Sequence, residues 1–238
     1  MSLLSLQGVS KGYGEGAAAH PVLRELSLSV QPGELVVVWG MRGSGRSTLM
    51  RVAAGIEPPD AGVVLFDGHD LARRGERLLG GGIGYCQRTL RFGDGQSALE
   101  HAMVGLLSRW VPPAGARARA LRALERAGAA HCASMRRHKL TSAEAVRVAL
   151  ARTLALEPRV LVIDEPVKGV DLAERDGILA LLRSLADEGI AVLACTGEST
   201  GLSEADRAFV LGAGELRGAP PAHVAPVLPL RLASCGGA

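Results

Sequence analysis

The sequence predicts an α/β fold in which strand–helix–strand units flank an inserted helical subdomain. A glycine-rich loop, "WGMRGSGRST" at 39–48, follows an apolar run and precedes a stretch with helical spacing. Three later apolar runs have the pattern of buried parallel strands, at 159–166, 189–196 and 208–214. Between the loop and these runs, the chain from about 97 to 157 is largely helical in pattern.

The remaining elements follow from turn signals and apolar spacing. In chain order we expect strands at 3–10, 23–30 and 34–39, a helix ending at Gly55, a strand with a turn at Asp67 and Gly68, a break in the helical insert at Pro112 and Pro113, and an amphipathic helix at 173–189. This order divides the chain into an antiparallel β and loop-bearing part at 1–86, a helical subdomain at 87–158, the rest of the core at 159–216, and a mobile tail at 217–238.

The composition excludes several classes of protein. A chain of 238 residues buries a sizeable core, and its net charge of +3, without a basic stripe, argues against a nucleic-acid partner. No apolar run approaches the roughly 18 residues needed to cross a bilayer, and the beginning lacks a secretory signal pattern. The cysteines are far apart, as is typical of reduced cytoplasmic thiols: Cys86, Cys132, Cys195 and Cys235.

The loop at 39–48 has the spacing of a phosphate-binding loop, G-x-x-x-x-G-K-[ST], with Arg46 at the lysine position. Its glycines let amide groups and the following helix N-terminus face an anion. We expect Ser47 to ligate Mg²⁺ and Thr48 to support the α-phosphate. The expected ATP contacts are Gly40, Met41, Arg42, Gly43, Ser44, Gly45, Arg46, Ser47 and Thr48. Taken alone, the loop also fits a glycine-rich turn that binds no nucleotide.

A pair of acids at a strand end favours the nucleotide interpretation. Asp164 and Glu165 end the apolar run "VLVIDEP", downstream of the loop. We expect Asp164 to hold the Mg²⁺ shell and Glu165 to polarise the attacking water as general base. The alternative is two acids that only cap a strand.

With these motifs in order, the chain resembles the ATP-binding cassette (ABC) ATPases over residues 5 to about 215. The resemblance implies a P-loop NTPase fold: a RecA-like, mostly parallel sheet with an antiparallel β subdomain and a helical insert. It places Tyr13 against adenine and makes Gln87 a link between Mg²⁺ and the attacking water. The segment "SALEH" at 97–101 stands where the family often has T-A-L-E-N, and "LTSAE" at 140–144 matches the signature segment. The loop "KGVD", which ends in Asp171, matches the loop that contacts a partner subunit, and "ADRAFVLGAGEL" at 205–216 matches the closing strands.

Three departures from the family pattern bear on catalysis. Arg46 keeps a positive charge but is bulkier than lysine, although only three of the 27 basic residues are lysines, so compositional drift is an alternative explanation. The signature L-S-G-G-Q reads here Leu140, Thr141, Ser142, Ala143 and Glu144. Gly197 stands where the family has a switch histidine, and it offers no side chain to the γ-phosphate. Loss of one such donor typically costs about 10²- to 10³-fold in rate.

The signature segment has a second interpretation. T-x-x-E is a capping box, with Thr141 as N-cap and Glu144 at the third helical position. The segment therefore either contributes Thr141, Ser142, Ala143 and Glu144 to the ATP site of a partner subunit or mainly starts a helix.

The resemblance implies an ATP hydrolase subunit that binds ATP and Mg²⁺ between two cassette subunits, with Glu165, Gln87 and Arg46 as catalytic residues and Ser47, Gln87 and Asp164 around the metal. We expect slow or conditional hydrolysis, and a second cassette subunit that forms a homodimer or, preferentially, a heterodimer. We also expect transmembrane permease subunits on separate chains and a peripheral position on the cytoplasmic face of the membrane. The alternatives are a non-hydrolysing regulatory or structural cassette protein and a soluble cassette ATPase of the iron–sulfur assembly type.

Overall fold

A computed structural model describes residues 2–14, 20–74, 82–87, 95–198 and 203–218. Ten strands and six α-helices lie within these ranges. The strands are β1 (Leu4–Tyr13), β2 (His20–Val30), β3 (Leu35–Gly40), β4 (Ala61–Phe66), β5 (His69–Asp70), β6 (Ile83–Cys86), β7 (Val160–Asp164), β8 (Ala191–Thr196), β9 (Arg207–Gly212) and β10 (Glu215–Gly218). The helices are α1 (Arg46–Ala53), α2 (Leu71–Arg74), α3 (Ala98–Leu107), α4 (Pro113–Arg126), α5 (Ser142–Leu154) and α6 (Leu172–Asp187).

The strands form two sheets. The larger sheet has the order β10-β9-β3-β8-β7-β6, and all its neighbouring pairs are parallel except β10 with β9. The smaller sheet, β2-β1-β4-β5, is antiparallel. Because β3 and β7 both pair with β8 in parallel, their carboxyl ends lie at the same edge of the larger sheet. The loop after β3 and the acids after β7 are thereby brought together.

Strands β3, β7 and β8 of the larger sheet are buried on both faces, as the apolar runs predict, whereas β9, expected to be a buried strand, is mostly half-buried and β10 is mostly exposed. In β3, Leu35 and Val37 pack into a core shared with the helical insert. Val36 and Val38 point the opposite way, into a core shared with the antiparallel sheet and α1. The alternation of side chains along a strand explains this division, and it fixes the register of β3 between two apolar layers.

The local signals that the sequence carries are present in the structure. Helix α1 ends at Ala53, and Gly55 follows with a φ of 69°. Asp67 and Gly68 form the turn after β4, with φ values of 51° and 75°. Helix α4 starts at Pro113, where proline is tolerated because the first helical amides have no partner within the helix.

One boundary differs from the expectation. Residues 217 and 218 belong to β10, which pairs with β9, so the strand extends two residues into the range expected to be a mobile tail. The turn at Ala213 and Gly214 allows this hairpin, since both residues have positive φ. The remainder of the expected tail, including Cys235, lies outside the described residues.

Cys86, Cys132 and Cys195 are buried free thiols. Within the described ranges, no helix combines the length and the apolar character that a membrane crossing requires.

Candidate functional site

The loop after β3 forms an open cradle at the N-terminus of α1. Gly43 has a φ of 83°, and a Cβ added there would meet no heavy atom within 4 Å. Gly45 has a φ of 101°, and a Cβ there would lie 2.9 Å from Val22. Ser44 Oγ is buried and has no hydrogen-bond partner in the described part of the chain. A buried hydroxyl without a partner in the described residues, next to Gly43 with open space beside it, suits a bound polar ligand such as a phosphate group.

Arg46 closes one side of this cradle. Its side chain is 8% exposed, and its Nη1 donates a hydrogen bond to the carbonyl oxygen of Gly40. Its Nη2 lies 2.5 Å from Glu165 Oε1. The phosphate-binding loop and the acidic strand end are therefore joined by a buried ion pair. Breaking such a pair by removing one partner is costly, because the other charge is then left buried without compensation.

Glu165 has a second cationic partner. Lys168 Nζ lies 2.8 Å from Oε2, so each carboxylate oxygen contacts a different cation. The Glu165 side chain is 7% exposed, and its backbone φ is 50°, a left-handed conformation that non-glycine residues seldom adopt. The backbone amide of Glu165 donates to the carbonyl of Cys195 at 3.0 Å, which helps to hold this conformation.

Gly197 lies directly against the Arg46 guanidinium. A Cβ added at Gly197 would lie 2.6 Å from Arg46 Nη1 and 3.1 Å from Nη2. The first distance is shorter than real Cβ contacts, so any side chain at this position would have to move the guanidinium. Arg46 and Gly197, two departures from the family pattern that are far apart in the sequence, are thus in contact in the structure. The Arg46 guanidinium occupies the space that a side chain at position 197 would need.

Asp164 is held by a neighbouring thiol. Cys195 Sγ–H donates to Asp164 Oδ1 at 2.9 Å, and both side chains are buried. Burial and the charge of Asp164 raise the pKa of the Cys195 thiol well above its usual value, so the thiol remains protonated and able to donate. The thiol therefore helps to fix the orientation of the carboxylate.

Gln87 lies in the same region as the two acids. It is exposed at the end of β6 and lines a cavity of about 260 Å³ together with Asp164 and Glu165. A neighbouring cavity of about 230 Å³ is lined by Arg46, Glu165 and Gly197. Glu165 thus borders both cavities. Ser47 is exposed on the first turn of α1, whereas Met41, Arg42 and Gly43 are exposed in the loop.

Tyr13 lies beside α1, where its hydroxyl joins a polar cluster. The hydroxyl is 3.2 Å from Thr48 Oγ1 and donates to Glu57 Oε2 at 2.9 Å, while Arg51 Nη2 donates to the Tyr13 hydroxyl at 2.9 Å. The residue is 40% exposed. Thr48 is buried and its hydroxyl contacts Tyr13, so the threonine expected to support the α-phosphate is engaged with the tyrosine expected to contact adenine.

The segment 140–144 begins α5 with a capping box. Thr141 Oγ1 accepts from the backbone amide of Glu144 at 3.1 Å, and Glu144 Oε2 accepts from the amide of Thr141 at 2.8 Å. Ser142 is exposed on the first turn and Ala143 is 3% exposed. The predicted capping box is therefore present. The contribution of this segment to a partner's ATP site stays a prediction. Asp171 is exposed and is the N-cap of α6.

Two contacts of the acidic strand end were missed by the sequence reasoning. The first is the ion pair of Glu165 with Lys168. Because Lys168 stands three residues after Glu165 and is one of only three lysines in the sequence, this ion pair could have been predicted from the sequence. The Cys195 contact with Asp164 gave no such signal, because it depends on the pairing of β7 with β8.

Comparison with known proteins gives a consistent result. A family model described as "ABC transporter" matches residues 23–168. The chain is similar to an uncharacterized ABC transporter ATP-binding protein of Bacillus subtilis, at 31% identity over 90% of this chain and 95% of that protein. It is also similar to the lipoprotein-releasing system ATP-binding protein of Myxococcus xanthus, at 34% identity over 91% of this chain and 99% of that protein. A solved dimeric ATP-binding cassette, in a post-hydrolysis state bound to ADP and Pi, matches with a TM-score of 0.82 at 26% identity, over 91% of this chain and 97% of that chain.

Proposed function

The chain belongs to the ABC transporter family, and we propose on this premise that it is a slow or conditional ATPase subunit that works beside a partner cassette. The family resemblance and the α/β P-loop fold predicted from the sequence are confirmed. At the coarser level the chain is an ATP-binding subunit of the ABC transporter type. The rate of hydrolysis, the partner and the residue roles below are our proposals.

The cradle residues suit ATP and Mg²⁺. Loop amides, the Ser44 hydroxyl and the Arg46 guanidinium supply donors for the phosphates, and the ring of Tyr13 would contact the base. Ser47, Asp164 and Gln87 would hold Mg²⁺ directly or through water, since this ion prefers oxygen ligands and keeps several waters. When bound, Mg²⁺ would neutralise developing charge on the phosphate oxygens.

The ion pairs of Glu165 carry the proposal of slow hydrolysis. A general base needs a free oxygen within hydrogen-bond reach of the attacking water. Here Oε1 contacts Arg46 and Oε2 contacts Lys168, and both cations stabilise the ionised carboxylate, so Glu165 accepts a proton more readily once one ion pair opens. The phosphates would compete with Glu165 for the Arg46 guanidinium, and their binding would therefore favour release of the base. Hydrolysis would then depend on nucleotide binding and on how the partner subunit engages Lys168, which is half-exposed.

The partner proposals rest on the relatives. The Frankia casuarinae protein similar to this chain is named a phosphonates import ATP-binding protein, and the Myxococcus xanthus protein is named for lipoprotein release. Both names describe transport systems, and we infer separate transmembrane permease subunits and a peripheral position on the cytoplasmic face of the membrane. We infer no nucleic-acid partner. The exposed Asp171 would contact a second cassette subunit, and a heterodimer would place Arg46 and Gly197 in only one of two ATP sites.

The second candidate is a regulatory cassette protein that binds ATP without hydrolysing it. The same double ion pair of Glu165 favours this candidate, because a base that never leaves its cations performs no catalysis. The two candidates differ in whether removal of the Glu165 carboxylate changes turnover.

Phosphate release from the purified chain and its Glu165→Gln variant separates these candidates. We expect slow release that falls by at least about 10²-fold in Glu165→Gln, with ATP binding retained. Glu125→Gln, an exposed change on α4, serves as the matched control and should leave release unchanged. Equal release in the parent and Glu165→Gln would favour the non-hydrolysing candidate. Turnover at ordinary transporter rates, or no ATP binding at millimolar concentration, would contradict the proposal.

A further inference from the structure

A cluster of three side chains lies at the start of α5, on residues to which the proposed ATPase chemistry assigns no metal. The short 3₁₀ turn Ala130–Cys132 follows α4 and places His131 and Cys132 beside Glu144. The candidate ligand atoms of these three side chains all lie within 4.8 Å of one another. His131 Nε2 is 2.9 Å from Glu144 Oε1.

The three side chains offer a nitrogen, a sulfur and an oxygen. Carboxylate, imidazole and thiolate together are the ligand set of a borderline metal such as Zn²⁺, whereas Mg²⁺ and Ca²⁺ prefer oxygen alone. With metal–ligand bonds of about 2.0 to 2.3 Å, tetrahedral ligand atoms lie roughly 3.3 to 3.7 Å apart. The 2.9 Å distance between His131 Nε2 and Glu144 Oε1 must therefore open slightly, and the other distances between ligand atoms, none above 4.8 Å, must close by up to about 1 Å.

The carboxylate is already oriented for this role. Glu144 Oε2 accepts from the backbone amide of Thr141 at 2.8 Å, and this bond leaves Oε1 directed at His131. The Thr141 amide on Oε2 and the His131 ring on Oε1 together hold both carboxylate oxygens in position. A second bond that fixes a ligating carboxylate is typical of metal sites.

The thiol and the imidazole occupy complementary positions. Cys132 is fully buried, and its backbone is held by hydrogen bonds from its amide to Ala129 and from the Met135 amide to its carbonyl. The His131 side chain is 59% exposed, which leaves a path from solvent to the cluster. The sulfur thus comes from a fixed backbone, while the imidazole can move to admit an ion.

We propose that His131, Cys132 and Glu144 form a binding site for a divalent transition-metal ion of the zinc class. Glu144 Oε1 accepts a hydrogen bond from His131 Nε2–H; on binding, this proton passes through solvent to Nδ1, and Nε2 and Oε1 each form a bond to the metal. The Sγ–H bond of Cys132 breaks, its proton passes to solvent, and the sulfur electron pair forms the third bond. Water occupies the fourth position on the exposed side of His131. Binding joins the 3₁₀ turn after α4 to the first turn of α5, and this inference is independent of the proposed ATPase function.

Zinc binding to the full chain tests the site. Zn²⁺ alone is titrated calorimetrically into the reduced, nucleotide-free protein, and the parent is expected to bind one equivalent. His131→Ala and Glu144→Gln each remove a ligand and should weaken binding by more than about 100-fold, since loss of an outer-shell partner alone costs 10- to 100-fold. His138→Ala replaces an exposed histidine in the neighbouring 3₁₀ turn Arg137–Lys139 and should leave the affinity unchanged.

Cobalt reports whether the sulfur is a ligand. Co²⁺ bound to the parent should show thiolate charge-transfer absorption in the near ultraviolet, and Cys132→Ser should abolish it. Because Cys132 is buried, circular dichroism must show that this variant folds; His131→Ala provides the same test on an exposed residue. Absence of zinc binding, binding that survives both His131→Ala and Glu144→Gln, or an equal loss in His138→Ala would overturn the proposal.

Discussion

Gly197→Ala tests whether Arg46 and Gly197 form one arrangement. The added methyl group would lie 2.6 Å from Arg46 Nη1 and 3.3 Å from Cζ. The guanidinium cannot move without loosening its bonds to the Gly40 carbonyl and to Glu165. Inserting a methyl group into a packed site typically costs about 1 to 3 kcal/mol. For a chain of this length, each kcal/mol lowers the thermal midpoint by roughly 2 to 4 °C.

Arg46→Lys supplies the second arm of a double-mutant cycle. Lysine has no guanidinium, so the methyl group at 197 meets no planar fork and the cost of Gly197→Ala should largely disappear. We expect a coupling energy of about 1 to 2 kcal/mol between the two positions. The assay is thermal unfolding of the four proteins without nucleotide, followed by circular dichroism.

Gly212→Ala is the matched control for this cycle. Gly212 ends β9, and a Cβ there meets no atom within 4 Å, so this change should be nearly neutral in both backgrounds. Two outcomes would refute the steric argument. In the first, Gly197→Ala lowers the thermal midpoint as much in the Arg46→Lys background as in the parent. In the second, Gly197→Ala lowers the thermal midpoint of the parent no more than Gly212→Ala does.

Three further outcomes are expected. Arg46→Lys combined with Gly197→His should raise the rate of phosphate release about 10²-fold over the parent, because the histidine adds a donor and no guanidinium clashes with it. Gly197→His alone should give no such increase. A double variant that releases phosphate no faster than the parent would contradict this prediction. Tyr13→Phe should keep the affinity for a fluorescent ATP analogue, whereas Tyr13→Ala should weaken it on the order of 10- to 100-fold, since stacking of an aromatic ring on a base is worth about 1 to 3 kcal/mol. An equal loss of affinity in the two variants would exclude stacking. Burial opposes the ionisation of Asp206, but hydrogen bonds from Arg183 and the Leu35 amide outweigh this effect and lower the pKa of the carboxyl group. The ionised Asp206 therefore stabilises the fold, and Asp206→Asn should reduce the thermal midpoint at neutral pH. That difference should be complete above the unfolded pKa of about 3.9 and vanish as pH falls through the lower folded value; a difference that persists in acid would point to another cause.

The sequence predicted those parts of the molecule that depend on contiguous residues. The apolar runs that became β7 and β8, the turn at Asp67 and Gly68, and the capping box at Thr141 each have their signal within a few residues. The family resemblance added the mostly parallel sheet, the antiparallel β subdomain and the helical insert. These predictions succeed because backbone conformation and apolar spacing are local properties.

Contacts between distant positions could not be predicted in the same way. In the sequence, Arg46 and Gly197 are two separate departures from the family pattern, because nothing near either residue indicates that a guanidinium fills the space beside the glycine. The cluster of His131, Cys132 and Glu144 was missed for a similar reason, since α4 must first be placed against α5. The expected tail at 217 was wrong by two residues, because pairing with β9 outweighs a composition rich in proline and glycine beyond it.

The contact between Arg46 and Gly197 also constrains how such a loop can evolve. An arginine that enters while position 197 carries a bulky side chain meets a steric barrier, whereas a chain that already has glycine there accepts it freely. On this steric argument, the arginine is tolerated only where the glycine is already present or arrives with it. Once both are present, restoring a larger residue at 197 alone is harmful, so the pair resists reversal by single steps.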